Sequence, residues 1–518
     1  MNSNYTGPII QGTAVPAPGS IPSNNNNNNY GNPKETYHAS TAGETYYNDT
    51  GGYSASASAS AVPFAEQYSH HQQQQQPNQF RDVFWAIAFL IHLGVMIVLI
   101  STNLAGQNGN DNGGDDNGGG GGVDAYGGTI VFVALSVLVS MGLSTSTISL
   151  MMKFPAGMVK LGLIFSAFVS GVFALLLLSS GSGLGMILGI CFFAITVCYV
   201  CSVWNRIPYA AANLKTALTA VKCNGGLAVV AYLIMTVAFA WCAFWMMGVA
   251  NSIANSTGSI VFLLFISFYW TYGVLTNTVH VTTAGTVGTW WFVPVEANGC
   301  FSGGLRNSFV RATTYSFGSI CFGSLLVAVV QALRAMARNA RNDEDSALLA
   351  CLLECILACI QDIIEYFNKW AYVYVGLYGF GYIEAGRNVM QLFQNKGWTT
   401  VIADDLVGRV LMMLSMGVGV VSGLASMLLA KANPNLLSVF ASMEDADGNA
   451  LNVAYVGLFL GFLVGMVVCS ILMSVVGSAA DTVLVCFAES PAEFEANHPV
   501  LSRELRAAWR EAWPELAM

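Results

Sequence analysis

The chain has 518 residues, of which 54% are hydrophobic and only 9% charged, with a formal net charge of −9 and a mean hydropathy of +0.55. A soluble domain carries roughly 25% charged residues, so this chain lacks the shell that would keep a core of its size dissolved. The composition excludes a soluble globular protein and predicts an all-α polytopic integral membrane protein, with the lipid bilayer as its solvent and no nucleic-acid partner.

Residues 1–80 read as a disordered, low-complexity cytosolic tail. They contain the unbroken run Asn24 to Asn29, an alternating Ser-Ala stretch from Ser54 to Ser60, and Gln72 to Gln76. Such tracts bury too little apolar surface to offset the entropy of ordering them. No basic start followed by an apolar run is present, so no cleavable signal peptide is expected. Residues 81–480 form the expected multi-span domain, and 481–518 a cytosolic C-terminal tail.

A helix crosses about 30 Å of hydrocarbon with ~20 mostly apolar residues. That length predicts about ten transmembrane helices, near 82–101, 128–152, 158–180, 183–203, 226–250, 258–280, 308–332, 346–367, 406–430 and 453–475. The seventh is interrupted by small and hydroxyl residues, and the eighth carries Glu354, Asp362 and Glu365. Trp85, Trp204, Trp290, Trp291 and Trp370 fall near span ends, where an aromatic belt would meet the headgroups.

Lys and Arg mark cytosolic loops. The connections at 102–127, 181–182 and 251–257 contain neither, whereas Lys153 and then Arg206, Lys215 and Lys222 mark the alternate ones. The alternation puts the amino terminus in the cytosol and the Asn255-Ser256-Thr257 glycosylation acceptor outside. The pattern breaks at 333–345, which holds Arg334, Arg338 and Arg341 where an outside loop is due. On a helix, Glu354, Gln361, Glu365 and Asn368 fall within one polar stripe, as in an interfacial helix or one lining a wet path.

Little in the chain supports an enzyme. Cys198 and Cys201 form a C-x-x-C inside a span, without the strand–helix context that makes it redox-active. Cys351, Cys355 and Cys359 lie on one helix face and read as small packing residues. The histidines show no ligand spacing, no phosphate-binding G-x-x-x-x-G-K-[ST] is present, and no metal or cofactor is expected. The remaining signal is polar residues within spans, each costing ~2.5–3.5 kcal/mol unless it meets a partner or water. These are His280, Arg311, Glu354, Asp362, Glu365, Glu384 and Asp481. Aromatics are a second signal: Trp241 and Trp245 one turn apart, and Tyr269, Trp270 and Tyr272 on the next span. Aromatic faces near a carboxylate attract a quaternary ammonium by about 2 kcal/mol per desolvated contact. Packing or lipid contact is the competing reading of the same rings.

The stretch Arg311-Ala-Thr-Thr-Tyr-Ser-Phe-Gly-Ser-Ile-Cys-Phe-Gly-Ser-Leu-Leu326 resembles the choline transporter-like family, and within it the fungal pH-nine-sensitive branch. Glu365-Tyr-Phe-Asn-Lys-Trp-Ala-Tyr-Val-Tyr-Val-Gly-Leu-Tyr-Gly379, Glu384-Ala-Gly-Arg-Asn388 and Asp481-Thr-Val-Leu-Val-Cys-Phe-Ala-Glu489 are similar to further segments of that family. The resemblance spans roughly 80–500 and implies ten spans, cytosolic termini and an often glycosylated outer face. It further implies a plasma-membrane carrier of the kind whose animal members move choline and related amines. Read directly, Gly318, Ser319, Gly323 and Ser324 give the 311–326 helix a small-residue face for close packing.

Together these readings predict a passive or exchange-driven carrier of a small organic cation such as choline. Its substrate contacts are expected at Trp241, Trp245, Tyr269, Trp270, Tyr272 and Glu354. The alternative is a membrane scaffold or sensor that binds partners through its tail.

Overall fold

Backbone groups in hydrocarbon must find their partners within the chain, and helices are the local solution for these long apolar runs. The computed structural model describes residues 79–110, 121–179, 181, 183–255, 258–340, 347–398, 405–441 and 451–515. Among the described residues the regular structure is helical, without strands. The helices are α1 (Val83–Asn110), α2 (Gly121–Lys153), α3 (Pro155–Ser179), α4 (Gly183–Val203) and α5 (Ile207–Cys223). They continue with α6 (Gly226–Asn255), α7 (Gly258–Phe292), α8 (Gly303–Thr313), α9 (Phe317–Ala340) and α10 (Ala347–Tyr378). The last six are α11 (Tyr382–Asn395), α12 (Leu406–Ala432), α13 (Ser438–Ala441), α14 (Val453–Glu489), α15 (Pro491–Asn497) and α16 (Pro499–Ala512).

Nine helical segments among the described residues are long and apolar enough to cross a membrane. They correspond to every predicted span except 346–367. That stretch is helical within α10 but falls outside the nine, carrying Glu354, Asp362 and Glu365, with Lys369 just beyond. The 204–225 connection is the short 3-10 turn Trp204–Arg206 followed by α5. The seventh span starts later than expected: the chain breaks at Thr314–Ser316, between α8, whose first turn Ser302 caps through the Leu305 amide (3.1 Å), and α9. Helix α14 runs on through Asp481 to Glu489. Helix α11 stops at Gly397, whose positive φ of 68° lets the Trp398 amide reach back to the Phe393 carbonyl (2.9 Å).

Without a hydrophobic drive between helices in lipid, close approach through small residues holds a bundle together. The contact between α12 and α14 is built this way. A Cβ at Gly423 would lie 2.7 Å from the Leu458 carbonyl, and one at Gly457 would lie 2.6 Å from the Ala430 Cβ. Helix α2 joins them through hydroxyls: Ser140 Oγ lies 2.7 Å from Ser422 Oγ, and Ser136 Oγ 3.0 Å from Ser426 Oγ. Elsewhere α7, α9 and α10 pack on one another, and Arg311 donates to the Gly376 carbonyl where α7 and α10 cross (2.7 Å).

Two expectations change here. Trp290, Trp291 and Trp370 are buried in protein, not set in a belt facing lipid. Trp291 stacks on Phe494 of α15 with centroids 4.0 Å apart, and Trp290 stacks on His498 at 3.9 Å. Trp204 does reach the surface. The reason is the extra length of α7 beyond its predicted end, which carries both rings under the C-terminal helices. Cys351, Cys355 and Cys359 are exposed, so that face of α10 is apolar surface rather than a packed interface.

Candidate functional site

Spacing on four helices builds one polar cavity. On α10, Glu365, Asn368, Lys369 and Tyr372 recur at the three- and four-residue intervals of a single face. On α7 the same intervals align Tyr269, Tyr272, Thr276, Asn277 and His280, and on α14 they align Ser470, Ser474, Ser478 and Asp481. These faces, with Ser324 and Gln331 of α9 and Asp405 at the start of α12, line an open cavity of about 600 Å³. That volume lies within the range of small-molecule sites, ~300–1,000 Å³.

The charges are tied together. Lys369 Nζ lies 2.8 Å from Asp405 Oδ1 and 2.9 Å from Asp481 Oδ1, and its ammonium sits 4.9 Å from the Trp370 ring centroid. Asp405 is the more open carboxylate, 49% exposed against 17% for Asp481. Burying one charge without the others would be costly, and the shared ammonium offsets that cost. Glu365 accepts from Gln361 (2.6 Å), which accepts from Arg334 (2.5 Å). His280 is held by both ring nitrogens. The Lys369 carbonyl only accepts, so Nε2 donates to it (3.1 Å), and Nδ1 lies 2.6 Å from the Ser478 hydroxyl.

Hydroxyls and amides hold the remaining wall. Asn277 donates to Ser324 Oγ (2.9 Å), Tyr372 donates to the Ile320 carbonyl (3.2 Å), and Tyr382 donates to Asn368 Oδ1. The Asn368 amide in turn donates to the Gly323 carbonyl (3.1 Å). The wall thus sets three carboxylates, Glu365, Asp405 and Asp481, against the one ammonium of Lys369, with the His280 imidazole beside them. Three phenol rings, Tyr269, Tyr272 and Tyr372, share that wall. Such a lining attracts cations and offers them aromatic faces. Among the described residues no group of three metal-ligating side chains is gathered.

The residues singled out from sequence divide. Tyr269 and Tyr272 line the cavity. Trp241 and Trp245 are buried in a separate cluster with Met96, Ile100 and Leu264. Trp270 is buried beside the cavity wall, stacks on His92 and donates Nε1 to the Cys321 carbonyl (2.9 Å). Glu354 lies away from the cavity and pairs with Arg338 (2.9 Å), so the polar stripe of α10 meets the arginines of α9 at one end and the cavity at the other.

The small-residue face also divides. At Gly318 an added Cβ would overlap the Arg81 and Asp82 carbonyls, and at Gly323 it would overlap Tyr372 Oη and Tyr382 Cε2. Ser319 donates to Asp82 Oδ2 (2.6 Å), whereas Ser324 faces the cavity. Asn255 ends α6, and its side chain with Ser256 and Thr257 lies outside the described residues.

Sequence reading had named His280, Glu365 and Asp481 as polar positions but missed Lys369, Asp405 and Asn277. Lys369, four residues after Glu365 on the same helix face, was the available signal.

Residues 187–492 match the family described as "Plasma-membrane choline transporter". The chain is 28% identical over 363 residues to Protein pns1 of Aspergillus fumigatus, covering 65% of each protein. It is 27% identical over 452 residues to Protein PNS1 of Mycosarcoma maydis, covering 83% of each. A CTL-like protein of Dictyostelium discoideum is 26% identical over 444 residues, covering 82% of this chain and 74% of that protein. The matched stretch includes every charged residue of the cavity wall, and the chain belongs to the choline transporter-like family of multi-pass, transporter-like membrane proteins.

Proposed function

We propose that this protein is a plasma-membrane carrier, passive or exchange-driven, of a small organic cation such as choline or a related amine, with both termini in the cytosol. The observation that carries the reading is the lining of the cavity: three carboxylates against one ammonium, with three tyrosine rings in the same wall. A cation leaving water needs its hydration replaced by such groups. The family's description names choline, and the Lys/Arg pattern of the loops supports the orientation. Tyr269 and Tyr272 are the substrate contacts on this reading, with Glu365 and Asp481 supplying charge.

Uptake of labelled choline and ethanolamine into vesicles containing only this protein tests the proposal. Saturable uptake, competed by unlabelled amine, is expected. Vesicles that carry neither amine, from a protein that is folded and inserted, would refute it and favour a non-transporting scaffold.

A further inference from the structure

Beside the main cavity lies a second one of about 40 Å³, and Lys369, Asp405, Val407 and Asp481 belong to the walls of both. The ion-paired side chains are therefore the partition between two spaces. They also fasten three helices, since Lys369 lies on α10, Asp405 at the start of α12 and Asp481 on α14. The far side of the second cavity is made by Arg206, Tyr209 and Asn213, around and within α5, and by Trp513 just after α16.

The lining of this second space is that of a cation site. It has the rings of Tyr209, Trp370 and Trp513 together with the two carboxylates. The chain's own cations already sit on two of those rings. Lys369 Nζ is 4.9 Å from the Trp370 centroid, and the Arg206 guanidinium is 5.8 Å from that of Trp513. Trp513 meets Tyr209 edge-on at 4.7 Å.

We infer that the smaller cavity, too small for an amine while Lys369 occupies its edge, widens into a second organic-cation subsite beside the main cavity when that side chain leaves, and that Lys369 is the gate residue. The inference rests on the carrier reading above for its ligand class, whereas the gate itself does not depend on which amine is carried. An arriving cation completes the charge of Asp405 and Asp481 when Lys369 swings away. That motion frees α10 from α12 and α14 and joins the two spaces. In the state described, Lys369 is paired with both carboxylates between the two cavities.

The gate is tested with a cysteine introduced by Ser474→Cys in the main cavity, and a membrane-impermeant methanethiosulfonate applied from the face carrying 204–225. Protein without that substitution reports labelling of the native cysteines. Lys369→Gln is expected to speed labelling at 474 by about tenfold, the scale of losing a charge-assisted contact, whereas Lys369→Arg stays slow. Equal rates in Lys369→Gln and the parent overturn the gate. Should Lys369→Gln fail to fold, Asp405→Asn leaves the Lys369–Asp481 pair intact and is expected to give an intermediate rate; a parental rate in that variant counts against the gate equally.

The subsite is tested by choline uptake with Trp513→Ala. A fall in maximal rate of about fivefold, recovered by Trp513→Phe, is expected for loss of one cation–π face. Parental uptake by Trp513→Ala overturns the subsite. If no variant carries any amine while Lys369→Gln still exposes position 474, the carrier reading falls and the gating role of Lys369 stands.

Discussion

Gly323 is the position where one methyl group has the most legible consequence. A Cβ there would overlap Tyr372 Oη and stand 2.5 Å from Tyr382 Cε2. Neither ring can step aside freely, because Tyr372 donates to the Ile320 carbonyl and Tyr382 to Asn368. Overpacking of this kind costs about 1–3 kcal/mol, and disturbing the two phenol hydrogen bonds adds about 1 kcal/mol each. The helix propensity gained by replacing glycine with alanine returns about 0.5–1 kcal/mol. Gly323→Ala is therefore expected to destabilise the protein by about 3 kcal/mol, and Gly323→Leu to prevent folding. The control is Gly94→Ala on the exposed face of α1, where nothing lies within 4 Å of the added Cβ. Thermal unfolding of detergent-purified protein, followed by the loss of the monodisperse peak, compares the two. Equal melting of Gly323→Ala and Gly94→Ala would refute the claim that α9 packs on the tyrosines of α10 and α11 through this glycine.

Tyr272→Ala is expected to weaken choline uptake by about tenfold, one desolvated cation–π contact, whereas Glu354→Gln, paired with Arg338 outside the cavity, leaves uptake unchanged; the reverse pattern would move the site along α10. Cysteines placed at Lys215 and Ala105 test orientation in intact cells: only the one at 105 is expected to label from outside, and labelling at 215 instead would invert the topology. Burial against Trp290 holds the His498 imidazole below its ordinary pKa of 6.5, opposed by the bond to the Trp290 carbonyl. The folded state thus keeps the ring neutral while the unfolded state protonates, so the contribution is full above pH 6.5 and is lost as the pH falls below it. His498→Asn is expected to flatten the decline in melting temperature between neutral and mildly acidic pH, and an unchanged slope would assign that decline to other groups. Asp82 accepts from the Tyr382 amide (2.8 Å) and the Ser319 hydroxyl (2.6 Å), so Asp82→Ala is expected to loosen the start of α1 and cost about 2 kcal/mol, read by the same melting assay.

The class of the protein and most of its spans were legible because a spanning helix is a local property: about twenty apolar residues satisfy it whatever surrounds them. The close-packing role of Gly318 and Gly323 was legible for a similar reason, since a missing side chain matters wherever a backbone comes near. The glycines of the α12–α14 contact obey the same rule and were passed over. Their four-residue spacing, Gly457, Gly461 and Gly465, was the signal.

What the sequence could not decide is which way each helix turns. In lipid, the face toward neighbouring helices and the face toward hydrocarbon are both apolar, so periodicity that orients a soluble helix is nearly silent here. Trp241, Trp245 and Trp270 offer aromatic faces as Tyr269 and Tyr272 do, yet of these five only the tyrosines line the cavity. Lys369, Asp405 and Asp481 lie on three different helices, and each alone reads as a charge near a span end. Only the fold brings them together, because the Lys369 ammonium offsets the charge of both carboxylates and they offset its charge in turn, a pairing that no single helix supplies.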